Sequence, residues 1–181
     1  MKISIISSST RTGRISHRIA LALQKAILLS GHEVKLVDLA AISLPPFEER
    51  IDFQKNPEPE LLTLKEDLMK TDAFLFLSPE YNGAISSGLK NFIDVYAKAP
   101  FTHKAIGVVT GSTGAMGGIR AAYQLQQTIL SIHGFPHPNM LTVGKMDQVL
   151  DEEGKILSAA YAENQQTFLK AFLDFAEKLN A

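Results

Sequence analysis

Residues 73–83 read AFLFLSPEYNG, and this stretch sets the architecture of the chain. Its first five positions, Ala73 to Leu77, are apolar without alternation, which is typical of a strand buried on both faces. Such strands occur in parallel sheets that carry helices on both sides. The pair Asn82-Gly83 favours a tight turn directly afterwards. The stretch therefore predicts a central parallel strand that ends in an ordered loop.

Strand and helix patterns alternate on both sides of this stretch. Apolar runs predict further strands at residues 3–6, 34–37, 105–109 and, more weakly, 139–143. Helical periodicity predicts a first helix with an apolar face from Ile15 to Ile27, and further helices at 60–70, 89–97 and 119–132. It predicts a last helix at the end of the chain, where Phe168, Phe172, Phe175 and Leu179 share a face. Residues 40–59 are rich in proline and predict a long loop. The repeated strand–helix order implies a single α/β domain over residues 1–181, with a parallel sheet and helices on both faces.

The composition excludes several kinds of site and partner. The chain has no cysteine, which excludes disulfides, thiolate catalysis and cysteine-ligated metals. The formal net charge is -1 and no basic stripe is present, so no nucleic-acid partner is expected. No apolar run is long enough to span a membrane or to form a signal peptide, and we expect a cytoplasmic protein without a membrane partner. The histidines lack metal-ligand spacing, and we predict no metal site; His17 is the one beside a candidate loop.

Loop 1, residues 8–16, reads SSTRTGRIS and follows the first strand. Hydroxyl groups, two arginines and a helix N-terminus meet there, and all of them suit a phosphate monoester. Arg11 can form a bidentate, charge-assisted pair with phosphate oxygens. The alternative is that a serine or threonine merely caps the helix. Capping alone does not explain four consecutive hydroxyl residues, from Ser7 to Thr10, followed by Arg-x-Gly-Arg.

Two further loops follow strands three and four. Loop 2, residues 78–83, reads SPEYNG and can present backbone N–H groups to a planar ligand beside Tyr81; the alternative is a structural turn. Loop 3, residues 110–118, reads TGSTGAMGG, and its glycines let the backbone approach a ligand closely; the alternative is a flexible loop. Loop 3 lacks the Gly-Lys-Ser/Thr of a P-loop, and no Gly-x-Gly-x-x-Gly follows the first strand. Ligands of open parallel sheets bind at the carboxyl ends of the strands, where these three loops are expected to converge.

These loops resemble those of the NADPH-dependent FMN reductase family, which includes chromate, quinone and azo-dye reductases. The family's opening motif, Gly-Ser-x-Arg followed by Ser, corresponds to residues 8–11 and Ser16. Its central motif corresponds to PEYN at 79–82, LKN at 89–91 and Asp94. The resemblance extends from the first strand to the fourth helix at least. It implies a flavodoxin-like three-layer sandwich with a five-stranded parallel sheet of order 2-1-3-4-5, bound to FMN.

Position by position, the resemblance implies three groups of FMN-binding residues: Ser9, Arg11 and Ser16 for the phosphate; Pro79, Glu80, Tyr81, Asn82 and Gly83 for the flavin ring and ribityl chain; and Ser112, Gly114 and Gly117 for the other edge of the ring. One departure is Ser8, where the family usually has glycine. A Cβ there is expected to crowd the phosphate turn or to demand a shifted backbone.

The implied activity is an NAD(P)H-dependent reductase that passes two electrons from NADPH or NADH through FMN to a small-molecule acceptor. Quinones, azo compounds, chromate and free flavin are all compatible acceptors. No catalytic side-chain acid or base is required, because the cofactor carries the chemistry. The resemblance also implies a homodimer or homotetramer, with the apolar face of Leu89, Phe92, Ile93 and Tyr96 as a contact or, equally, as core. The alternatives are a flavodoxin-type electron carrier and a non-flavin α/β scaffold that binds another phosphate.

Overall fold

The computed structural model describes residues 1–181 and contains one parallel sheet. Its strands are β1 (Lys2–Ser7), β2 (Glu33–Asp38), β3 (Ala73–Pro79), β4 (Ala105–Gly111), β5 (Phe135–Pro136) and β6 (Leu141–Val143). They lie in the order β2-β1-β3-β4-β5, with β6 also paired to β4. All of these pairs are parallel. The order 2-1-3-4-5 expected from the resemblance is confirmed.

The fifth position of the sheet differs from the single strand predicted at 139–143. Two short strands share the edge of β4: Phe135 pairs beside Ala105, and Leu141–Val143 pairs beside residues 109–111. Pro136 and Pro138 explain the interruption, because proline has no backbone N–H to donate to a ladder. The predicted strand therefore begins two residues before β6 does, and the prediction omits β5 at Phe135–Pro136.

The helices are α1 (His17–Leu29), α2 (Pro59–Met69), α3 (Ser87–Tyr96), α4 (Ile119–Ser131), α5 (Met146–Val149) and α6 (Ala159–Asn180). α1 starts after Ile15, although the periodic pattern includes that residue, so loop 1 stays irregular through Ser16. Two short elements were not predicted: α5, and a 3-10 turn at Ile51–Phe53 within the predicted loop 40–59. None of the helices has both the length and the apolarity needed to cross a bilayer.

Two apolar cores lie on opposite faces of the sheet. Phe74 and Phe76 of β3 belong to the core that α2, α3 and α4 cover, whereas Leu75 and Leu77 belong to the core under α1 and α6. Every residue of β3 is buried, which confirms the prediction from its continuous apolar run. With both faces of the central strands covered, a ligand can reach these strands at their ends, and the candidate loops lie at one of those ends.

The apolar face of α3 lies inside the protein. Leu89, Phe92, Ile93 and Tyr96 are at most 3% exposed and belong to the first core. Phe92 and Tyr96 also pack ring against ring, with centroids 4.9 Å apart. Of the two roles considered for this face, core packing is confirmed and a contact between subunits is wrong.

Candidate functional site

The three loops converge on one cleft at the carboxyl ends of β1, β3 and β4. The cleft has a volume of about 280 Å³, near the lower end of the roughly 300–1,000 Å³ typical of ligand pockets. Its lining consists of Ser9, Arg11, Gly13, Arg14, Ile15, Ser16, Pro79, Glu80, Tyr81, Gly111, Ser112, Thr113 and Met146. A direct contact joins the first two loops, since Ser9 Oγ and the Tyr81 hydroxyl lie 2.7 Å apart.

Loop 1 presents a row of unpaired backbone donors. None of the backbone N–H groups from Ser9 to Ser16 donates to an acceptor within the protein. Ser16 occupies the N-cap of α1, but its side chain makes no capping hydrogen bond, and the first turn contains no acidic residue. A simple capping role therefore does not account for this loop. Free N–H groups at the positive end of a helix suit an anion such as a phosphate.

The two arginines of loop 1 have different environments. Arg14 forms an ion pair with Asp38 at the end of β2 and donates to the Ser9 carbonyl over 3.1 Å. Burial raises the pKa of Asp38, but hydrogen bonds from Arg14 and from the backbone of Ala40 outweigh it, and the pKa is lowered. Arg11 has no ion pair, and its guanidinium carbon lies 5.8 Å from the Tyr81 ring centroid, within cation–π range. Arg11 is thus the cation that remains available to a ligand.

Loop 2 makes a tight turn beside the cleft. Tyr81 and Ala84 exchange backbone hydrogen bonds at 2.9 and 3.0 Å. Asn82 and Gly83 between them have φ values of 52° and 81°. Positive φ at both central positions defines a type I′ turn, for which Asn-Gly is the preferred pair. The turn places Pro79 and Tyr81 in the lining, whereas Asn82 and Gly83 lie outside it.

Glu80 is engaged with α4 as well as lining the cleft. Its carboxylate accepts hydrogen bonds from the backbone N–H groups of Arg120 and Ala121, at 3.2 and 3.4 Å, and from the Arg120 side chain. Burial raises the pKa of Glu80, but the hydrogen bond from the Arg120 side chain and the backbone donors lower it overall. Glu80 is therefore ionised, and its charge is balanced by that of Arg120. Its side chain connects loop 2 to the start of α4, directly after loop 3.

Loop 3 contributes one edge of the cleft through Ser112 and Thr113. Gly114 and Gly117, which the resemblance also placed at the ring, do not line it. A Cβ at Gly117 would lie 2.8 Å from the backbone of Val143, and φ at this residue is +60°. Gly117 therefore lets loop 3 pack against the end of β6. Met146 also lines the cleft, yet it comes from α5, and no local pattern in the sequence marks it as a site residue.

The Ser8 side chain lies outside the cleft lining. Its backbone has no positive φ, its side chain is 1% exposed, and its hydroxyl lies 2.7 Å from the Ser86 hydroxyl. The side chain occupies a space next to Ser86 at the N-terminus of α3, and the effect of this Cβ on a bound phosphate stays a prediction. The backbone N–H of Ser8 still donates to Leu77 in β3 over 3.2 Å.

His17 lies behind loop 1 and not in the cleft lining. Its Nδ1 is 2.9 Å from Ser7 Oγ, and its Nε2 is 3.9 Å from an oxygen of Asp38. Burial and the nearby charge of Arg14 lower the pKa of His17, against the opposing effect of Asp38. The histidine is therefore mainly neutral at pH 7 and supports the loop from behind.

The sequence matches known reductases over nearly its whole length. Residues 1–148 match the family described as NADPH-dependent FMN reductase. The chain is 31% identical over 186 residues to the NAD(P)H-dependent FMN reductase PA1204 of Pseudomonas aeruginosa, covering 99% of this chain and 97% of that protein. It is 28% identical over 178 residues to a quinone reductase of Pseudomonas putida, covering 95% and 90% of the two chains.

Solved structures show the same fold. The flavoenzyme NAD(P)H:(acceptor) oxidoreductase FerB from Paracoccus denitrificans superimposes with a TM-score of 0.82 at 24% identity, covering 98% of this chain and 97% of that one. A flavodoxin from the domain Archaea superimposes with a TM-score of 0.63 at 13% identity over the full length of both chains. The flavodoxin-like fold is thereby confirmed.

The family match favours the reductase over the electron carrier, because the flavodoxin likeness concerns the fold alone. The chain belongs to the NADPH-dependent FMN reductase family and is accordingly an oxidoreductase that uses FMN and NAD(P)H.

Proposed function

We propose that FMN binds in the cleft with its phosphate on loop 1 and that the protein reduces quinones with NAD(P)H. The observation that carries this proposal is the row of unpaired N–H groups from Ser9 to Ser16 beside the free cation of Arg11. Arg14 and Glu80 are neutralised by Asp38 and Arg120, so the unpaired charge of the lining is positive. That charge and those donors fit a phosphate monoester.

The remaining lining residues bind and orient the flavin ring. Pro79 and Tyr81 supply apolar contact area, and the contact between Ser9 Oγ and the Tyr81 hydroxyl keeps loops 1 and 2 together. Ser112 and the free backbone N–H of Thr113 provide polar groups at the opposite edge. Asn82, Gly83, Gly114 and Gly117 shape the two loops from outside the lining. The bound FMN supplies two-electron chemistry, accepting hydride equivalents from NAD(P)H and delivering them to an acceptor.

A quinone is the proposed acceptor class. The relatives include several proteins named quinone reductase, among them that of Pseudomonas putida. We propose that no side-chain acid or base takes part, since Glu80 is held by α4 and His17 lies behind the loop. The protein therefore has to bind, orient and shield the reactants, and protons reach the reduced acceptor from solvent.

The phosphate assignment is tested by Arg11→Ala. We expect FMN affinity to fall by about 1.5–3 kcal/mol, the usual value of a hydrogen bond to a charged group. Riboflavin, which lacks the phosphate, is expected to bind the variant and the natural protein equally. Titration of flavin fluorescence measures both affinities. Arg50→Ala is the matched control, because Arg50 is exposed and does not line the cleft. An unchanged FMN affinity in Arg11→Ala rejects the assignment.

The activity is tested by steady-state oxidation of NADPH and NADH by the FMN-loaded protein, with a benzoquinone as the acceptor. We expect turnover that depends on both the nicotinamide and the quinone. Slow nicotinamide oxidation, together with ready electron exchange with a separate reductase, identifies an electron carrier instead. A panel of azo compounds, chromate and free flavin in the same assay then ranks the acceptors.

Assembly and location are further proposals. We propose a homodimer or homotetramer, as the family resemblance implies, with a surface other than the buried face of α3. Size-exclusion chromatography with light scattering measures the mass directly, and a monomer at micromolar concentration contradicts the proposal.

We propose a cytoplasmic location, which suits a chain without cysteine. Cell fractionation checks it.

A further inference from the structure

Three buried serines adjoin the cleft and connect its first two loops to α3. Ser8 directly after β1, Ser78 in β3 and Ser86 at the N-cap of α3 are each at most 1% exposed. Ser8 Oγ lies 2.7 Å from Ser86 Oγ, and the backbone N–H of Ser86 donates to Ser78 Oγ over 2.8 Å. None of the three lines the cleft, but Ser8 and Ser78 directly precede the lining residues Ser9 and Pro79.

Counting hydrogens assigns the direction of these bonds, because each hydroxyl carries one proton and two acceptor sites. Ser86 donates its hydroxyl proton to the Ser8 carbonyl over 3.2 Å. The Ser8 hydroxyl therefore donates to Ser86 Oγ, which also accepts the Leu89 backbone N–H over 3.2 Å. Two reciprocal bonds thus hold the first residue of loop 1 against the first turn of α3. Both hydroxyls are buried, so water does not substitute readily for either one.

Gly88 makes this close approach possible. A Cβ at Gly88 would lie 2.9 Å from the Ser8 carbonyl oxygen, closer than such atoms pack in proteins. The first turn of α3 therefore needs a residue without a side chain where it meets loop 1. The serine pair and the glycine together form a fitted contact between two segments 78 residues apart in the chain.

We infer that Ser8 and Ser86 are positioning residues for FMN. Their hydroxyl pair holds the start of loop 1 and thereby sets the direction of the free N–H groups that follow it. This inference rests on the proposed FMN site. The hydroxyl pair adjoins the phosphate end of the proposed site. A substitution at Ser8 leaves the hydrogen bond from Ser86 to Ser78 intact. Loss of the pair should therefore weaken binding of the phosphate and leave binding of the flavin ring unchanged.

The test compares Ser8→Ala with Ser4→Ala. Ser4 in β1 is a matched control, because it is 1% exposed and its hydroxyl pairs with the Thr71 hydroxyl at 2.7 Å, near the opposite end of the sheet. Dissociation constants for FMN and riboflavin are measured by flavin fluorescence. In Ser8→Ala we expect FMN to bind about 3- to 10-fold more weakly, the value of one neutral hydrogen bond, and riboflavin to change less than about twofold. Ser4→Ala is expected to change neither constant by more than about twofold.

Several outcomes overturn the inference. Unchanged FMN affinity in Ser8→Ala, an equal loss for both flavins, or the same loss in Ser4→Ala each contradict a positioning role. Urea unfolding without flavin shows whether each variant is folded at the assay temperature. If Ser8→Ala does not fold, Ser8→Gly removes the same hydroxyl and introduces the residue of the family motif, and the same FMN-selective loss is expected. Natural protein that binds no FMN overturns the proposed function itself, which separates that failure from a failure confined to Ser8.

Discussion

His17 illustrates how the surroundings of one residue set its charge. The ring lies against Ser7 and between the charges of Arg14 and Asp38, and burial with the Arg14 charge lowers its pKa from the ordinary value of 6.5. A neutral His17 adds no positive charge behind loop 1. The positive charge of the cleft therefore comes from Arg11, since Arg14 forms an ion pair with Asp38. Arg11, Arg14 and His17 lie close together in sequence, yet only Arg11 provides an unpaired positive charge.

The lowered pKa of His17 predicts a pH-dependent stability. At pH values between the pKa of His17 in the folded protein and 6.5, the unfolded chain binds a proton at His17 that the folded protein does not bind. The free energy of unfolding should therefore decrease as the pH falls below about 6.5, by less than about 1.4 kcal/mol per pH unit, the limit for one proton. Urea unfolding between pH 7.5 and 5.5 measures the slope. His17→Gln should show a flatter profile in this window; an unchanged slope would mean that His17 does not cause it.

At the scale of elements, the site depends on how closely loops and helices approach. Gly117 allows loop 3 to lie on the backbone beside β6, and Gly88 allows α3 to meet loop 1. Glu80 joins loop 2 to the start of α4, and the Ser9–Tyr81 contact joins loops 1 and 2. These contacts explain why three irregular loops hold a common shape. Each loop is fixed by partners on other elements.

Gly88→Ala tests the contact between α3 and loop 1. In an exposed helix this change stabilises by roughly 1 kcal/mol. Here the added Cβ meets the Ser8 carbonyl oxygen at 2.9 Å, so we expect destabilisation of about 1–3 kcal/mol, typical of overpacking. The free energy of unfolding in urea measures the sign. Gly114→Ala is the control, because its Cβ would make only an ordinary contact of 3.5 Å with Ser112 Oγ, at a backbone without positive φ. A stabilised Gly88→Ala protein would contradict the packing argument.

At the scale of the molecule, two cores support the sheet whose edge carries the cleft. α6 lies beyond the residues that match the family, yet Phe168, Phe172 and Ala176 complete the core on the α1 side. Phe172 is fully buried, and its ring stacks with Phe168 at a centroid distance of 6.1 Å. No residue of α6 lines the cleft. The contribution of α6 to stability is therefore made by residues that do not line the cleft.

Phe172→Ala separates the contribution of α6 to stability from FMN binding. Truncation of a buried phenylalanine costs about 3–5 kcal/mol of unfolding free energy, whereas Phe53→Ala, at a position 67% exposed, should cost less than about 0.5 kcal/mol. Urea unfolding measures both. At low temperature, where the Phe172→Ala protein is folded, its FMN dissociation constant should match that of the natural protein. A large loss of FMN affinity would show that α6 shapes the cleft.

Much of this arrangement follows from local patterns. The continuous apolar run of β3 depends only on neighbouring residues, and so do the strand–helix alternation and the Asn82-Gly83 turn; each was predicted correctly. The fifth strand was misjudged because two prolines divide a weak apolar run, and the short α5 has too few residues for a periodic signal. Patterns within a segment reveal its conformation, but they do not reveal its distant partners.

The amino-acid sequence alone determined the parallel α/β architecture, the three loops and the family, because burial patterns and motifs are properties of consecutive residues. Which side chains remain available to a ligand depends on how the chain packs in three dimensions. This packing directs Arg14 to Asp38 and Glu80 to Arg120, pairs Ser8 with Ser86 and brings Met146 to the cleft. These outcomes depend on distances between residues far apart in the chain, and such distances are set only when the helices and strands pack together.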